Sequence, residues 1–314
     1  MAERVAVIGA GVSGLTCATL FAERGYRTTI FAAETGAQTT SSVAGAIWFP
    51  YDAAPLEAVV AWALETFAVL RPLCANPESG VALIEQRAFV RAGEIAIPDW
   101  AISLGARRLV AADIPAIFTS GYALEVPLTD TTRYLPYLTT RFRNAGGEIE
   151  GGIQFENLEE APADRELVVN CSGVGARTLR PDPEVEPHRG QVVLVAGSPH
   201  RHAVVCDDPP LMYAIPRAND CVFGGSNDVS TDRTPDPATS ARILADCSRA
   251  LEIAPPPILR ERVGLRPFRR SGICLCADRL RDGRRVLHNY GHGGSGFTLS
   301  WGCARAVLAL AAAA

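Results

Sequence analysis

What this chain lacks narrows it quickly. Its nine cysteines include no Cys-x-x-Cys pair, and an odd number rules out a fully paired disulfide framework. Cys274-Leu-Cys276 is the one close pair, and Cys17, Cys171 and Cys303 lie in apolar segments, as expected of buried free thiols in a reducing cytosol. No basic block occurs and the net charge is −4, which argues against a nucleic-acid surface. His200-Arg-His202 with Cys206 and Asp207 lacks the ligand set of a catalytic zinc site, so no metal is expected. His292-Gly-Gly-Ser resembles a lipase oxyanion loop, but Gly-x-Ser-x-Gly appears nowhere in the chain. There is no internal repeat, and no low-complexity stretch beyond the four alanines after Leu310, which carry no peroxisomal or retention address. Val5 to Ala22 is eighteen residues without a charge, as in a signal peptide or a membrane span. It holds three glycines and several hydroxyls, and Arg4 is offset by Glu3, so a cytoplasmic protein without a membrane segment is expected.

What is there begins at the same stretch. Arg4 to Ile8 is a short β-branched run that reads as a buried parallel strand. It enters Gly9-Ala-Gly11-Val12-Ser13-Gly14, in which Gly9 suits a tight turn, Gly11 a close approach to a pyrophosphate and Gly14 helix-on-strand packing. Leu15 to Arg24 has helical spacing and stops at Gly25, and its N-terminus would face phosphate. A strand at Arg27–Phe31 follows, and Glu34, 20 residues after Gly14, stands where an acid meets a ribose hydroxyl. Together these predict a dinucleotide site. Thr39 to Trp48 reads equally as a cofactor loop or as a plain Ser/Thr-rich loop.

The 314-residue chain as a whole, 48% hydrophobic and 20% charged, has the composition of a globular enzyme of one large domain or two. Spacing predicts helices over Leu56–Leu73, Thr131–Asn144, Ser240–Leu251 and Thr298–Ala313. Alternation between Val81 and Val126, including Ala88–Ile97, predicts antiparallel strands, as do Arg189–Val195 and Leu211–Gly225. Glu148–Ile153, Glu166–Asn170 and Arg285–His288 read as strands of the first sheet. The expected fold class is α/β, with one domain from 1–50, 127–182 and 270–314 and a β-rich domain inserted as 51–126 and 183–269.

Two further stretches suggest ligand contact. Asn289 to Thr298 has four glycines in six residues before a helix, which brings bare backbone to a ligand. Arg266, between Leu265 and Pro267, is the guanidinium best placed to face inward, where it needs an anion. Arg269 and Arg270 are expected to be solvated. Tyr213 lies in a strand-like run and reads by itself as a core tyrosine.

These motifs resemble one family from end to end: Val7-Ile-Gly-Ala-Gly-Val-Ser-Gly-Leu15, Val43-Ala-Gly-Ala-Ile-Trp48, Val169-Asn-Cys-Ser-Gly173, Arg189-Gly-Gln191, Gly264-Leu-Arg-Pro267 and His288-Asn-Tyr-Gly-His-Gly-Gly-Ser-Gly-Phe-Thr298. The chain resembles the D-amino-acid oxidases, flavoenzymes of the glutathione-reductase-like group. The resemblance implies a Rossmann-like FAD-binding domain carrying an inserted antiparallel substrate domain. FAD would be held non-covalently by Gly9, Gly11, Val12, Ser13, Gly14, Glu34, Thr39, Thr40, Ser41, Gly45, Ala46, Ile47, Ile153, Ser172, Gly293, Gly294, Ser295, Gly296, Phe297 and Thr298. Arg266 would clamp the substrate carboxylate with help from Tyr213, and the Gly294 carbonyl would accept the substrate amine. Hydride transfer to the flavin needs no general base, so no catalytic side chain is expected. The partners would be a D-amino acid and dioxygen, with hydrogen peroxide released and a homodimer left open. D-aspartate oxidase, with a cation from His202 or Arg201, and glycine or sarcosine oxidase are the alternatives. One departure from the family is the stretch Val205-Cys-Asp-Asp-Pro-Pro210, which has no tyrosine and is short for the active-site lid of eukaryotic members.

Overall fold

The computed structural model describes residues 3–50, 53–197 and 200–313. In chain order it opens with β1 (Arg4–Ile8), α1 (Val12–Glu23), β2 (Arg27–Ala32), α2 (Leu56–Leu73), β3 (Val81–Val90) and α3 (Asp99–Ser103). Next come β4 (Arg107–Arg108), β5 (Ser120–Thr129), α4 (Thr131–Asn144), β6 (Glu148–Gly151), β7 (Leu167–Asn170) and α5 (Ala176–Leu179). The chain continues through β8 (Val185–Val195), β9 (Ala203–Cys206), β10 (Met212–Pro216), β11 (Cys221–Gly224), β12 (Asp228–Val229) and α6 (Pro237–Ala250). It closes with β13 (Ile258–Arg269), β14 (Cys274–Arg279), β15 (Arg285–Tyr290) and α7 (Gly296–Ala312).

Two compact units result. The first comprises Met1–Val81, Thr129–His188 and Arg266–Ala314, and the second comprises Ala82–Leu128 and Arg189–Leu265. These boundaries differ from the expected ones chiefly at 51–81, which falls in the first unit. The reason is the partner that α2 finds. It packs on α7 so closely that a Cβ at Gly302 would lie 2.3 Å from the Trp62 carbonyl oxygen, and Thr66 Oγ1 accepts the Gly302 N–H at 3.0 Å.

The first unit holds a six-stranded sheet in the order β14-β15-β7-β1-β2-β6. Its five inner pairings are parallel except for β14, which runs antiparallel to β15. Val5, Ala6 and Val7 are fully buried, as a strand covered on both faces requires. The charge-free stretch Val5–Ala22 is thus a core strand plus α1, and no described helix is long and apolar enough to cross a membrane. α4 starts where the Asp130 side chain accepts the Thr132 N–H at 3.0 Å, and Arg141 near its end grips Glu23 of α1 through two bonds of 2.6 and 3.0 Å.

The second unit is built on a nine-stranded sheet in the order β12-β8-β11-β10-β9-β3-β5-β4, with β13 also pairing β8. Most pairs whose direction is resolved are antiparallel, as expected, but β3 runs parallel to β9. More than a hundred residues separate those two strands, so no hairpin dictates their direction. The expected strand Ala88–Ile97 also stops early, at Val90. Asp208 takes the Arg91 N–H at 2.7 Å, and the Arg91 guanidinium is held by the carbonyls of Asp208 and Pro210. The core beneath this sheet stacks Phe89 on Phe118 with ring centroids 4.7 Å apart, alongside Val193, Val204, Phe223 and Ile243 of α6. All nine cysteines are free, and seven of them are buried.

Candidate functional site

The register of the first sheet places Ile8 beside Phe31 and Asn170, and Asn170 beside His288. Four chain segments therefore leave the sheet at one edge: the turn at Gly9, the stretch after β2, the turn at Cys171–Ser172 and the loop after β15. This carboxyl edge is where open α/β sheets bind ligands.

The first turn is steric in origin. Gly9 has φ +110°, and a Cβ there would sit 2.5 Å from the Cys171 carbonyl oxygen. At Gly14 the added carbon would meet the Gly9 oxygen at 1.9 Å, so strand and helix touch through bare backbone. A Cβ at Gly11 would stand 3.0 Å from Ser41 Oγ, and that same oxygen accepts the Val12 N–H at 2.9 Å. Gly11, the N-cap of α1, supplies no side chain and no acid stands in the first turn, so apart from the Val12 N–H held by Ser41 the positive end of the helix is left for an anion. Glu34 is half-buried two residues past β2.

The loop that sequence could not decide is a pair of 3-10 turns packed beneath that helix end. Thr39 Oγ1 donates to the Gly36 carbonyl at 2.9 Å and Ser42 Oγ to the Thr39 carbonyl at 2.7 Å, so these hydroxyls hold the turn itself. Thr40 and Ser41 are half-buried at its surface. Gly45 is buried. Ala46 adopts a left-handed φ of 55°, fixed by Thr129, whose N–H and hydroxyl both reach the Ala46 carbonyl at 3.0 and 2.9 Å. Ile47 follows in a short bridge. Ile153 N–H bonds the Ala32 carbonyl at 3.1 Å, closing the end of β2. Ser172 is oriented by Asn170, whose Oδ1 accepts from its hydroxyl at 2.6 Å, while Asn170 Nδ2 lies 3.2 Å from His288 Nδ1.

The second glycine turn follows β15. Gly291 and Gly293 are left-handed at φ 87° and 53°, and Gly294 is exposed. His292 is buried, lies 3.0 Å from Asn289 Oδ1 through Nε2, and is pushed down to about 4 by burial, so it is neutral at pH 7. Ser295 is fully buried, and α7 starts at Gly296 with no acid in its first turn. Phe297 packs 6.2 Å from the Tyr134 ring, and Thr298 Oγ1 is engaged by both the N–H and the carbonyl of Phe49. The Thr298 hydroxyl is therefore engaged within the protein.

Arg266 and Gly294 lie on joined segments. The Gly293 N–H donates to the Pro267 carbonyl at 2.9 Å, and Phe268 bridges His292. Arg266 is half-buried. Tyr213 belongs to the second unit, where its ring lies flat on Gly224 and Gly225; a Cβ at Gly224 would come within 2.1 Å of Tyr213 Cζ. Arg269 departs from expectation. Instead of being solvated it pairs with Asp182 at 2.8 Å and Glu184 at 2.9 Å, whereas Arg270 is exposed with Glu186 at 3.4 Å. Asp182 and Glu184 carried no sequence signal, because their partner lies over eighty residues away. Among the described residues, no group of three or more His, Cys, Asp or Glu is arranged to hold a metal ion.

A parallel sheet, a glycine turn at its first strand–helix junction and a helix that starts there without an acid define a dinucleotide-binding protein. The chain belongs to the FAD dependent oxidoreductase family, whose profile matches residues 4–310. It is 43% identical over 318 residues to a D-amino-acid oxidase of Rubrobacter xylanophilus, covering 99% of this chain and 96% of the relative. A D-amino-acid oxidase of Streptomyces coelicolor is 39% identical, covering 98% and 96%. A human D-aspartate oxidase is 33% identical, covering 96% and 92%. Glycine oxidase from Geobacillus kaustophilus shares the fold with a TM-score of 0.82 at 16% identity, over 99% of this chain and 95% of that one. The residues present fit FAD: the bare Gly11 backbone and the acid-free N-terminus of α1 suit its pyrophosphate, and Glu34 follows at ribose distance in sequence.

Proposed function

We propose that this protein is an FAD-dependent oxidase of D-amino acids, yielding an imino acid that hydrolyses to a 2-oxo acid and ammonia. The observation that carries the reading is the hydrogen bond between the Arg266 strand and the second glycine turn, at the ligand edge of a flavoprotein sheet. It brings a planar cation and a bare backbone carbonyl to adjacent segments, which suits the two polar groups of one α-amino acid. FAD, when bound, supplies the two-electron acceptor and passes the electrons to dioxygen, releasing hydrogen peroxide. Arg266 binds the α-carboxylate through its fork, Tyr213 adds a hydroxyl, and the Gly294 carbonyl accepts an N–H of the amine. These groups orient the substrate and abstract no proton from its α-carbon.

In this reading the first unit holds FAD. Of the two candidate cations for a D-aspartate oxidase, His202 is pushed down to about 4 by burial and then by nearby Arg87 and His200, so it is neutral at pH 7, which leaves that role to the exposed Arg201. The nine free thiols support a reducing cytoplasmic setting. A peroxide assay over D- and L-amino acids, glycine and sarcosine tests the proposal. Neutral D-amino acids are expected to have the highest kcat/KM; peroxide from glycine or L-amino acids alone, or none in air, would overturn it.

A further inference from the structure

One buried acid lies between the two segments that meet at the substrate site. Asp182 is 6% exposed, in the connection between α5 and β8. Its Oδ2 accepts from the Tyr290 hydroxyl at 2.8 Å and from Arg269 Nε at 2.8 Å, and its Oδ1 accepts from the Glu184 N–H at 3.1 Å. Arg269 lies three residues beyond Arg266 on the same strand. Tyr290 ends β15, and the second glycine turn begins at the next residue. One carboxylate is therefore bonded to both segments that carry the proposed carboxylate and amine contacts. The segments also touch directly: Gly293 N–H bonds Pro267 O at 2.9 Å, and a Cβ at Gly291 would fall 2.9 Å from Arg269 Cβ.

The charges around Asp182 are mixed. Arg269 faces it directly, and Arg180 acts through Tyr290, donating to that hydroxyl at 3.1 Å. Glu184 shares Arg269 at 2.9 Å. Burial by itself would raise the Asp182 carboxyl pKa, but the bonds from Arg269, Tyr290 and the Glu184 N–H outweigh it and hold the group below the usual carboxylate range. Asp182 thus stays ionised at neutral pH as a fixed anchor for both segments.

We propose that Asp182 is a positioning residue for substrate recognition: through Arg269 and Tyr290 it sets the separation between the Arg266 guanidinium and the Gly294 carbonyl. The proposal rests on the reading of Arg266 and Gly294 given above. A ligand held at two points requires that separation to be correct within about 0.5 Å, and a 1 Å error costs on the order of 100-fold in rate. A ligand held at one point is indifferent to it. A plain structural staple would instead change stability and leave the two kinds of ligand equally bound.

The test uses the FAD-loaded enzyme and two ligands, D-alanine and propanoate, which keeps the carboxylate and lacks the amine. In Asp182→Asn, kcat/KM for D-alanine is expected to fall about 100-fold. Flavin content should be retained and the Kd of propanoate, read from the flavin spectrum, should change less than about threefold. Tyr290→Phe removes the bond from Tyr290 to Asp182, together with the one from Arg180, and keeps Arg269 on Asp182, so the same asymmetry should appear in smaller degree, and this variant carries the test if Asp182→Asn does not fold. Equal losses for both ligands, or a lowered melting temperature with unchanged kcat/KM, overturn the proposal. If Arg266→Ala retains wild-type kcat/KM, the reading of the site itself has failed. If Arg266→Ala is inactive while Asp182→Asn and Tyr290→Phe behave as wild type, only this inference is lost.

Discussion

The two glycine turns of the first unit look alike in sequence and differ in why they need glycine. Each follows a buried strand, and each opens a helix that has no acid in its first turn. In the first turn the protein itself excludes a side chain: at Gly14 a Cβ would overlap the Gly9 oxygen, and at Gly9 the Cys171 oxygen. At Gly296, which opens the second helix, a Cβ would meet only Val12 Cγ1, at an ordinary 3.5 Å. Glycine there answers to no neighbour in the chain at closer than van der Waals contact. The first turn is thus a packing device that also presents N–H groups; in the second, Gly291 is likewise denied a side chain, by Arg269, and it is Gly296 at the helix start that meets no clash.

Substitutions that separate packing from ligand contact sharpen this contrast. The largest effect is expected at the first turn. Gly14→Ala should cost at least about 4 kcal/mol of stability, because the clash is with backbone and cannot be relieved by a rotamer. Denaturant unfolding measures it, and a stable, flavin-loaded Gly14→Ala protein would end the distinction.

Next comes Arg266, tied to the second turn. Arg266→Ala should lose at least about 3 kcal/mol in kcat/KM for a good D-amino acid, on the scale of an unpaired buried charge, and keep its flavin. Arg266→Lys restores charge without the two-point fork and should recover only part. Flavin loss in either variant would make Arg266 structural.

Acid should distinguish the turns as well. The second contains buried His292, whose pKa lies at about 4 in the folded protein against an ordinary 6.5, and His288 just before it is pushed to about 4 by burial and then by Arg180. The unfolded chain therefore binds more protons between these values, so stability is full above about pH 6.5 and falls as pH drops toward 4. For His292 the loss should reach about 2–3 kcal/mol. Denaturant midpoints from pH 7 to 4 should show a slope that flattens in His292→Gln. An unchanged slope would mean that His292 gains solvent access as the loop moves.

Glu34→Ala should weaken FAD binding by about 2 kcal/mol, on the scale of a hydrogen bond from a ribose hydroxyl to a carboxylate, while leaving substrate preference alone. The smallest effect is reserved for Gly296→Ala. It should reduce FAD affinity roughly tenfold, about 1.4 kcal/mol, and leave stability of the flavin-free protein within about 0.5 kcal/mol, as at sites with no clash. Equal losses of stability in Gly14→Ala and Gly296→Ala would erase the comparison.

Legibility followed the range of the interactions. The strand Arg4–Ile8, the helices Leu56–Leu73 and Thr131–Asn144 and the glycine spacing could all be read, because apolar period, capping and turn sterics act within a few residues. The unit to which α2 belongs could not, since that depends on Gly302 meeting Trp62 from far along the chain. Nor could the parallel pairing of β3 with β9, or the end of β3 at Arg91, where Asp208 claims a backbone N–H from 117 residues away. Among the candidate site residues, Ala46 was named through the family motif, but its left-handed φ had no signal, because alanine seldom takes one and does so here under Thr129.

Sequence by itself determined that this chain builds a dinucleotide cradle, because its strand, glycine spacing, helix and Glu34 follow one another within a single short stretch. It also singled out Arg266 as a cation in an apolar run. Only the tertiary structure decided that Arg269 is anchored, that Asp182 joins the Arg266 strand to the second glycine turn, and that Gly14 and Gly296 are glycines for different reasons. Those facts are distances between segments remote in the chain, and such distances exist only once the core has packed.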